Sequence, residues 1–156
     1  MKTKVGIIGT GNIGTDLMYK ILKSEKLELY QVTGRRWDSD GIKIALKLGI
    51  REVSIEGIKD YNNSICEIVF DCTDAKTAKI NAPIFQKLGI KVIDLTPAKV
   101  GEMCVPFINE NEVKKLWNIN MITCGGQTSI PLLNIISKYC DLEYIEVVSQ
   151  IASKSA

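Results

Sequence analysis

Two short stretches of this 156-residue chain bring together residue types that can do chemistry. The first is Gly9-Thr10-Gly11-Asn12-Ile13-Gly14, which follows directly on the apolar run Val5-Gly6-Ile7-Ile8. In such a turn Gly9 permits a tight bend, Gly11 lets the backbone approach a pyrophosphate, and Gly14 allows close packing of helix on strand. The unpaired N–H groups and the dipole of the helix that follows favour phosphate. Set between a strand and a helix at the head of an alternating chain, the pattern reads as a dinucleotide site. The competing reading is a glycine-rich turn with no ligand.

The second stretch runs from Asn120 through Met121-Ile122-Thr123-Cys124-Gly125-Gly126-Gln127 to Pro131. A strand delivers Cys124 to a glycine pair just before a helix, leaving the sulfur accessible. Helix N–H groups nearby would favour the thiolate, the nucleophilic form of cysteine. Backbone N–H groups around Gly125 and Gly126 are candidates to stabilise an alkoxide formed on attack. Taken alone, Cys124 reads equally well as a buried structural thiol. Cys66, Cys72, Cys104 and Cys140 lack this arrangement and read as packing residues.

A third position bears on which dinucleotide would bind. The acid that hydrogen-bonds an adenosine ribose usually ends the second strand, about twenty residues past the loop. Here that strand ends Thr33-Gly34-Arg35-Arg36, and the nearest acids are Asp38 and Asp40. Guanidinium groups suit a 2′-phosphate. Either Arg35 and Arg36 admit NADP, or both are solvated and Asp38 takes the ribose of NAD.

The elements that must position these residues follow from periodicity. Short apolar runs at Lys4–Ile8, Leu27–Thr33, Ile50–Ser54, Glu67–Asp71, Lys91–Leu95 and Asn118–Thr123 predict strands. Helical spacing predicts helices over Asn12–Lys23, Gly41–Leu48, Ala75–Leu88, Asn109–Leu116 and from near Ser129 to Tyr139. Pro83 is expected to kink its helix or restart it. Pro131 falls in a first turn, where proline is tolerated. Glu143–Ile151, rich in β-branched residues, predicts a last strand. Strands alternating with helices imply an α/β fold, a Rossmann-like doubly wound parallel sheet with helices on both faces. Thr73, Thr96 and Cys124 all fall at the carboxyl ends of strands, where a nicotinamide would lie.

Composition excludes several alternatives. A net charge of +2 with dispersed lysines argues against a nucleic-acid or membrane partner. No apolar run approaches membrane-spanning length, and the amino terminus does not resemble a signal sequence. Five cysteines with no Cys-x-x-Cys pair point to a reduced, cytoplasmic protein. The absence of histidine makes a metal site, zinc above all, unexpected.

Five segments resemble acetaldehyde dehydrogenase (acylating): Val5-Gly-Ile-Ile-Gly-Thr-Gly-Asn-Ile-Gly-Thr-Asp-Leu-Met18, Ile68-Val-Phe-Asp-Cys-Thr73, Val92-Ile-Asp-Leu-Thr-Pro-Ala98, Asn120-Met-Ile-Thr-Cys-Gly-Gly-Gln127 and Ile151-Ala-Ser-Lys-Ser-Ala156. The resemblance implies oxidation of acetaldehyde or propanal to the acyl-coenzyme A, with NAD or NADP as cofactor and coenzyme A as co-substrate. It also implies an oligomeric full-length protein, a 4-hydroxy-2-oxovalerate aldolase partner and a place in aromatic hydrocarbon catabolism. Cys124 matches the family's acyl-thioester nucleophile, and Thr10, Gly11, Asn12 and Ile13 match its first cofactor-binding stretch. Where the family usually ends its second strand with aspartate, this chain has Arg36.

The family also continues past the position of Ala156 into a cofactor-binding loop and a substrate and dimerisation domain. Residues 1–140 are therefore expected to be a dinucleotide-binding domain carrying the catalytic cysteine. Residues 141–156 would begin a second domain, the chain being an excised piece or a truncated gene product. The opposing reading is a non-catalytic dinucleotide-binding module. A third is a semialdehyde dehydrogenase acting on acyl phosphates, whose cysteine turn would not be expected to read Cys-Gly-Gly-Gln.

Overall fold

A computed structural model describes residues 1–150 of the chain. Among these residues the strands are β1 (Thr3–Ile8), β2 (Leu27–Thr33), β3 (Glu52–Ser54), β4 (Ile68–Asp71), β5 (Lys91–Asp94), β6 (Glu102–Met103) and β7 (Asn118–Asn120). They form one sheet in the order β3-β2-β1-β4-β5-β7-β6, and every pairing is parallel. The helices are α1 (Asn12–Leu22), α2 (Asp40–Lys47), α3 (Ala75–Leu88), α4 (Pro106–Val113) and α5 (Cys124–Ile136). The expected doubly wound α/β sheet is what forms. Strands added on either side of β1 leave a crevice at its carboxyl end, where such folds bind ligands.

Alternation along β1 builds both layers. Val5 and Ile7 face one side and pack with Met18 and Ile21 of α1, Val32 of β2 and Ala45 of α2. Ile8 faces the other side, with Val69 of β4, Phe85 of α3 and Val92 of β5. Phe85 is fully buried, and burial of such a side chain contributes about 1.5–3 kcal/mol. Tyr61 meets the Phe85 ring edge-on at 5.4 Å and donates its hydroxyl to Ile7 O at 2.8 Å. Burial pushes that phenol far above its ordinary range, so it stays a donor.

Several expected boundaries move. Helix α5 begins at Cys124 rather than near Ser129, because the Thr123 hydroxyl accepts the Gly126 N–H and caps the helix there. Pro131 consequently lies inside α5, not in its first turn. Helix α4 starts earlier than expected, at Pro106, a favoured first position for proline, and is kinked at the expected start Asn109, whose φ of −132° is non-helical. Helix α3 runs through Pro83 as one element. A 3₁₀ turn at Gly57–Asp60 and the two-residue β6 were not expected.

Residues 143–150 form no strand, and Ile151 lies outside the described residues, as does the matching segment 151–156. A β-branched run becomes a strand only with a ladder to satisfy its backbone, and no described strand pairs with this one. No described helix is long and apolar enough to cross a membrane.

Candidate functional site

The sheet ends in register along one edge. Ser54, Thr33, Ile8, Asp71, Asp94, Asn120 and Met103 form a single row across all seven strands. Except after Ser54 on the edge strand, the residue after each row position donates its N–H to a neighbour's row carbonyl. Gly34 N reaches Ser54 O at 2.9 Å, Gly9 N reaches Thr33 O at 2.8 Å, and Cys72 N reaches Ile8 O at 2.8 Å. Leu95 N continues to Asp71 O at 2.9 Å and Met121 N to Asp94 O at 2.8 Å. The ladder thus carries every connecting loop to the same edge, and Thr73, Thr96 and Cys124 follow within a few residues.

The glycine loop leaves this edge from β1. Gly9 has φ +98°, and a Cβ there would stand 2.5 Å from Cys72 O. A Cβ on Gly14 would stand 2.0 Å from Gly9 O, so α1 packs against the turn with no room for a side chain. Gly11 differs, since nothing lies within 4 Å of its missing Cβ. It is the N-cap of α1 and provides no side-chain cap, so first-turn N–H groups face open space beside a bare backbone.

That space is a cavity of about 700 Å³, lined by Gly9, Thr10, Gly11, Thr33, Gly34, Arg35, Arg36, Ser39, Thr73, Asp74 and Asn81 among others. Two buried polar atoms on its wall, Thr33 Oγ1 beside Tyr61 and Asn81 Nδ2 beside Asp71, make no close hydrogen bond among the described residues. Such atoms cost about 1–3 kcal/mol each when left unpaired. A polar ligand with phosphate and hydroxyl groups fits this wall better than an apolar one. Asn12 and Ile13 are exposed on the first turn of α1, and with Gly14 they lie outside the lining.

Arg35 reaches from the end of β2 to the N-cap of α3, with Nη2 2.7 Å from Asp74 Oδ2. Asp74 also accepts the N–H groups of Lys76 and Thr77, each at 3.0 Å, and the Thr77 hydroxyl at 2.8 Å. These bonds, those from Thr77 first, hold its carboxyl below the usual range. Arg36 Nε lies 3.2 Å from Asp38 Oδ1.

Three row residues shape the loops nearest Cys124. Asp71 accepts the Thr73 N–H and hydroxyl, and Asp94 accepts the Thr96 N–H at 2.7 Å. Asn120 Oδ1 accepts the Ile122 N–H at 3.0 Å, so three strands end in the same side-chain-to-backbone turn. Burial raises the Asp71 carboxyl, opposed by the Thr73 bonds. Thr96 is buried and its hydroxyl accepts the Ala98 N–H, so it shapes a turn outside the cavity. The repeat Asp71-Cys-Thr73 and Asp94-Leu-Thr96 was a readable signal for these turns.

Cys124 occupies the first position of α5 and is exposed. It lines a second, shallower hollow with Gly125, Ser129, Val147 and Ser149, apart from the cavity at the glycine loop. The Gly126 N–H is taken by the Thr123 hydroxyl and the Gln127 N–H by Thr123 O. Gln127 Nε2 donates to both Cys104 O and Met121 O at 2.7 Å, which ties α5 to the ends of β6 and β7. Sequence reading quoted Gln127 only as part of the cysteine motif.

The other thiols divide. Burial pushes Cys66 and Cys72 up to about 12 and raises Cys104. Cys72 lines the main cavity. Cys140 is exposed, so it is not the packing residue expected of it; α5 buries none of its residues and leaves its carboxyl end in solvent.

Residues 4–116 match the family described as semialdehyde dehydrogenase, NAD binding domain. Residues 124–156 match prokaryotic acetaldehyde dehydrogenase, dimerisation. The chain is 49% identical over 156 residues to an acetaldehyde dehydrogenase of Spirochaeta aurantia, covering 98% of this chain and 52% of that relative. It is 48% identical to an acetaldehyde dehydrogenase of Pectobacterium atrosepticum, covering 99% and 54%. The chain spans about half the length of the curated relatives it matches. Among solved structures, aspartate semialdehyde dehydrogenase II of Vibrio cholerae superposes with a TM-score of 0.68 at 17% identity, over 89% of this chain and 47% of that one. Aspartate semialdehyde dehydrogenase with NADP from Candida albicans gives 0.68 at 20%, over 89% and 48%. At these identities the likeness is one of fold alone.

Proposed function

The chain belongs to the family of semialdehyde dehydrogenase NAD-binding domains, and from that premise we propose that it is the cofactor-binding half of an acylating aldehyde dehydrogenase with Cys124 as nucleophile. The observation that carries this reading is the presentation of an exposed thiol at the first position of α5, on the sheet edge from which the glycine loop also departs. Residues 1–140 form the dinucleotide-binding domain in this reading, and 141–156 begin the next.

The Cys124 sulfur attacks the aldehyde carbonyl, and the alkoxide of the resulting thiohemiacetal needs donors. The N–H groups of Cys124 and Gly125 are suited to this, because the first N–H groups of a helix have no partner within it. The Gly126 N–H is less suited, being held by Thr123. A bound nicotinamide supplies the hydride acceptor. The acyl group of the thioester left on Cys124 would pass to the coenzyme A thiol, with the Cys124 thiol released as the leaving group. Coenzyme A as acceptor, and a 4-hydroxy-2-oxovalerate aldolase as source of the aldehyde, rest on the resemblance of residues 120–127 to the acylating family. Gly9, Thr10, Gly11, Arg35, Arg36 and Thr73 would hold the dinucleotide. Five unpaired thiols support a reducing, cytoplasmic setting. Leu132, Ile135 and Tyr139, all exposed, support a further domain or subunit packed on α5.

The separation of the Cys124 hollow from the glycine-loop cavity favours a second reading, a dinucleotide-binding module without turnover. One assay separates them: reduction of NAD or NADP that depends on both aldehyde and coenzyme A, with and without Cys124→Ala. Turnover abolished by the substitution supports the enzyme. A folded chain that binds dinucleotide but never turns over supports the module.

A further inference from the structure

The carboxyl end of β2 is where a dinucleotide's adenosine ribose would meet the protein. This chain offers that ribose no free carboxylate in the cavity. Asp38 stands five residues beyond the last residue of β2 and is not part of the cavity wall. Asp74 is part of it, but both its oxygens are engaged, Oδ1 by the Lys76 and Thr77 N–H groups and Oδ2 by the Thr77 hydroxyl and Arg35. A 2′-hydroxyl meets no free carboxylate here, only neutral acceptors such as the buried Thr33 hydroxyl.

The wall is rich instead in donors. Arg35, Arg36 and Ser39 line the same space. Arg35 is tied to Asp74, whereas Arg36 uses only Nε, toward Asp38, and has no further partner among the described residues. A guanidinium carries five donors in a planar fork, so the Nη groups of Arg36 remain free for a second acceptor. Its contact with Asp38 joins two largely exposed side chains, the kind of pair that solvent screens and a dianion displaces. A phosphate dianion presents acceptors only, which is the complement of this wall.

Resting on the reading of this cavity as a dinucleotide site, we propose that it selects the 2′-phosphorylated dinucleotide, with Arg36 as the specificity-determining residue and Asp38 as its resting counter-ion. The Ser39 hydroxyl now donates to Arg36 O at 2.8 Å, and it can turn toward the phosphate without breaking a helical bond.

The test is calorimetric titration of the chain with NADP+ and NAD+, together with 2′,5′-ADP and ADP, which probe the adenosine end without the nicotinamide. NADP+ should bind about tenfold or more tightly than NAD+, the scale of charge-assisted bonds to one phosphate. Arg36→Ala should abolish that advantage by weakening NADP+ and 2′,5′-ADP about tenfold more than NAD+ and ADP. Asp38→Ala should leave NADP+ binding as tight or tighter. Equal or tighter binding of NAD+, equal weakening of both dinucleotides by Arg36→Ala, or loss of NAD+ binding in Asp38→Ala would overturn the inference. If a chain shown to be folded by circular dichroism binds neither dinucleotide, the cavity's dinucleotide reading fails, and the inference with it.

Discussion

Asn120 Nδ2 lies 3.0 Å from Asp94 Oδ2, joining the ends of β7 and β5 through two buried side chains. The same amide nitrogen also donates to Thr96 O at 3.0 Å, while Oδ1 accepts the Ile122 N–H. One side chain therefore fixes the exit of two strands. Ile122 then takes φ +50°, which is unfavourable for a β-branched residue, and turns the chain toward Cys124. The position of the thiol depends on this buried polar joint.

Replacing Asn120 with alanine should cost about 3 kcal/mol, because buried partners are left unsatisfied and each costs about 1–3 kcal/mol. Urea denaturation checks this directly. The joint would matter less than argued if the midpoint moved by only a few tenths of a molar. In a chain that turns over, Asn120→Ala should also lower kcat more than it raises KM.

The glycine loop makes a paired prediction. Gly14→Ala places a methyl 2.0 Å from the Gly9 carbonyl oxygen, backbone that has no room to yield, so it should unfold the chain at lower denaturant. Gly11→Ala meets open space and should change stability by no more than about 1 kcal/mol, the scale of a lost N-cap preference. It should nonetheless weaken dinucleotide binding by about tenfold, since the methyl occupies the approach of the pyrophosphate. Stability curves and calorimetry on both variants separate the effects. Unaltered binding in Gly11→Ala would remove the pyrophosphate from this turn.

These elements differ in how far they could be read from residues alone. The parallel sheet with helices on both faces was legible because short apolar runs such as Val5–Ile8 alternate with segments where residues such as Met18 and Ile21 recur at helical spacing. The start of α5 was not. A glycine pair argues locally against a helix, and what overrides it is the Thr123 cap together with Gln127 bound to carbonyls from distant strands. The run 143–150 failed in the opposite sense, having strand composition but no partner strand. Arg35 and Arg36 were identified from sequence, but their pairing with Asp74 and Asp38 required the fold.

Thiol titration should distinguish the cysteines. Only Cys124 and Cys140 of the five are exposed. Burial holds Cys66 and Cys72 at about 12, so at pH 8 both stay protonated and unreactive, and Cys104 is buried. Ellman's reagent should therefore titrate two thiols rapidly in the folded chain and all five in urea. Cys124→Ala should remove one rapid equivalent. A third fast thiol in the folded protein would contradict the raised thiol of half-buried Cys72 at the cavity wall.

Burial raises the Asp71 carboxyl above the ordinary aspartate range, against the bonds from Thr73. A carboxyl raised on folding binds its proton more tightly in the folded state than in the unfolded one. Its contribution to stability is present below the unfolded pKa and is lost as pH rises through the folded one. Asp71→Asn removes this titration while keeping an oxygen that can accept from Thr73. The variant's stability relative to the parent should therefore improve between about pH 4 and pH 7, whatever the fixed offset from exchanging an oxygen for an amide. Urea midpoints of both proteins at the two ends of that range measure the change. An offset that stays constant would show that the buried carboxyl does not titrate in this window, and one that worsens with pH would reverse the sign argued for its burial.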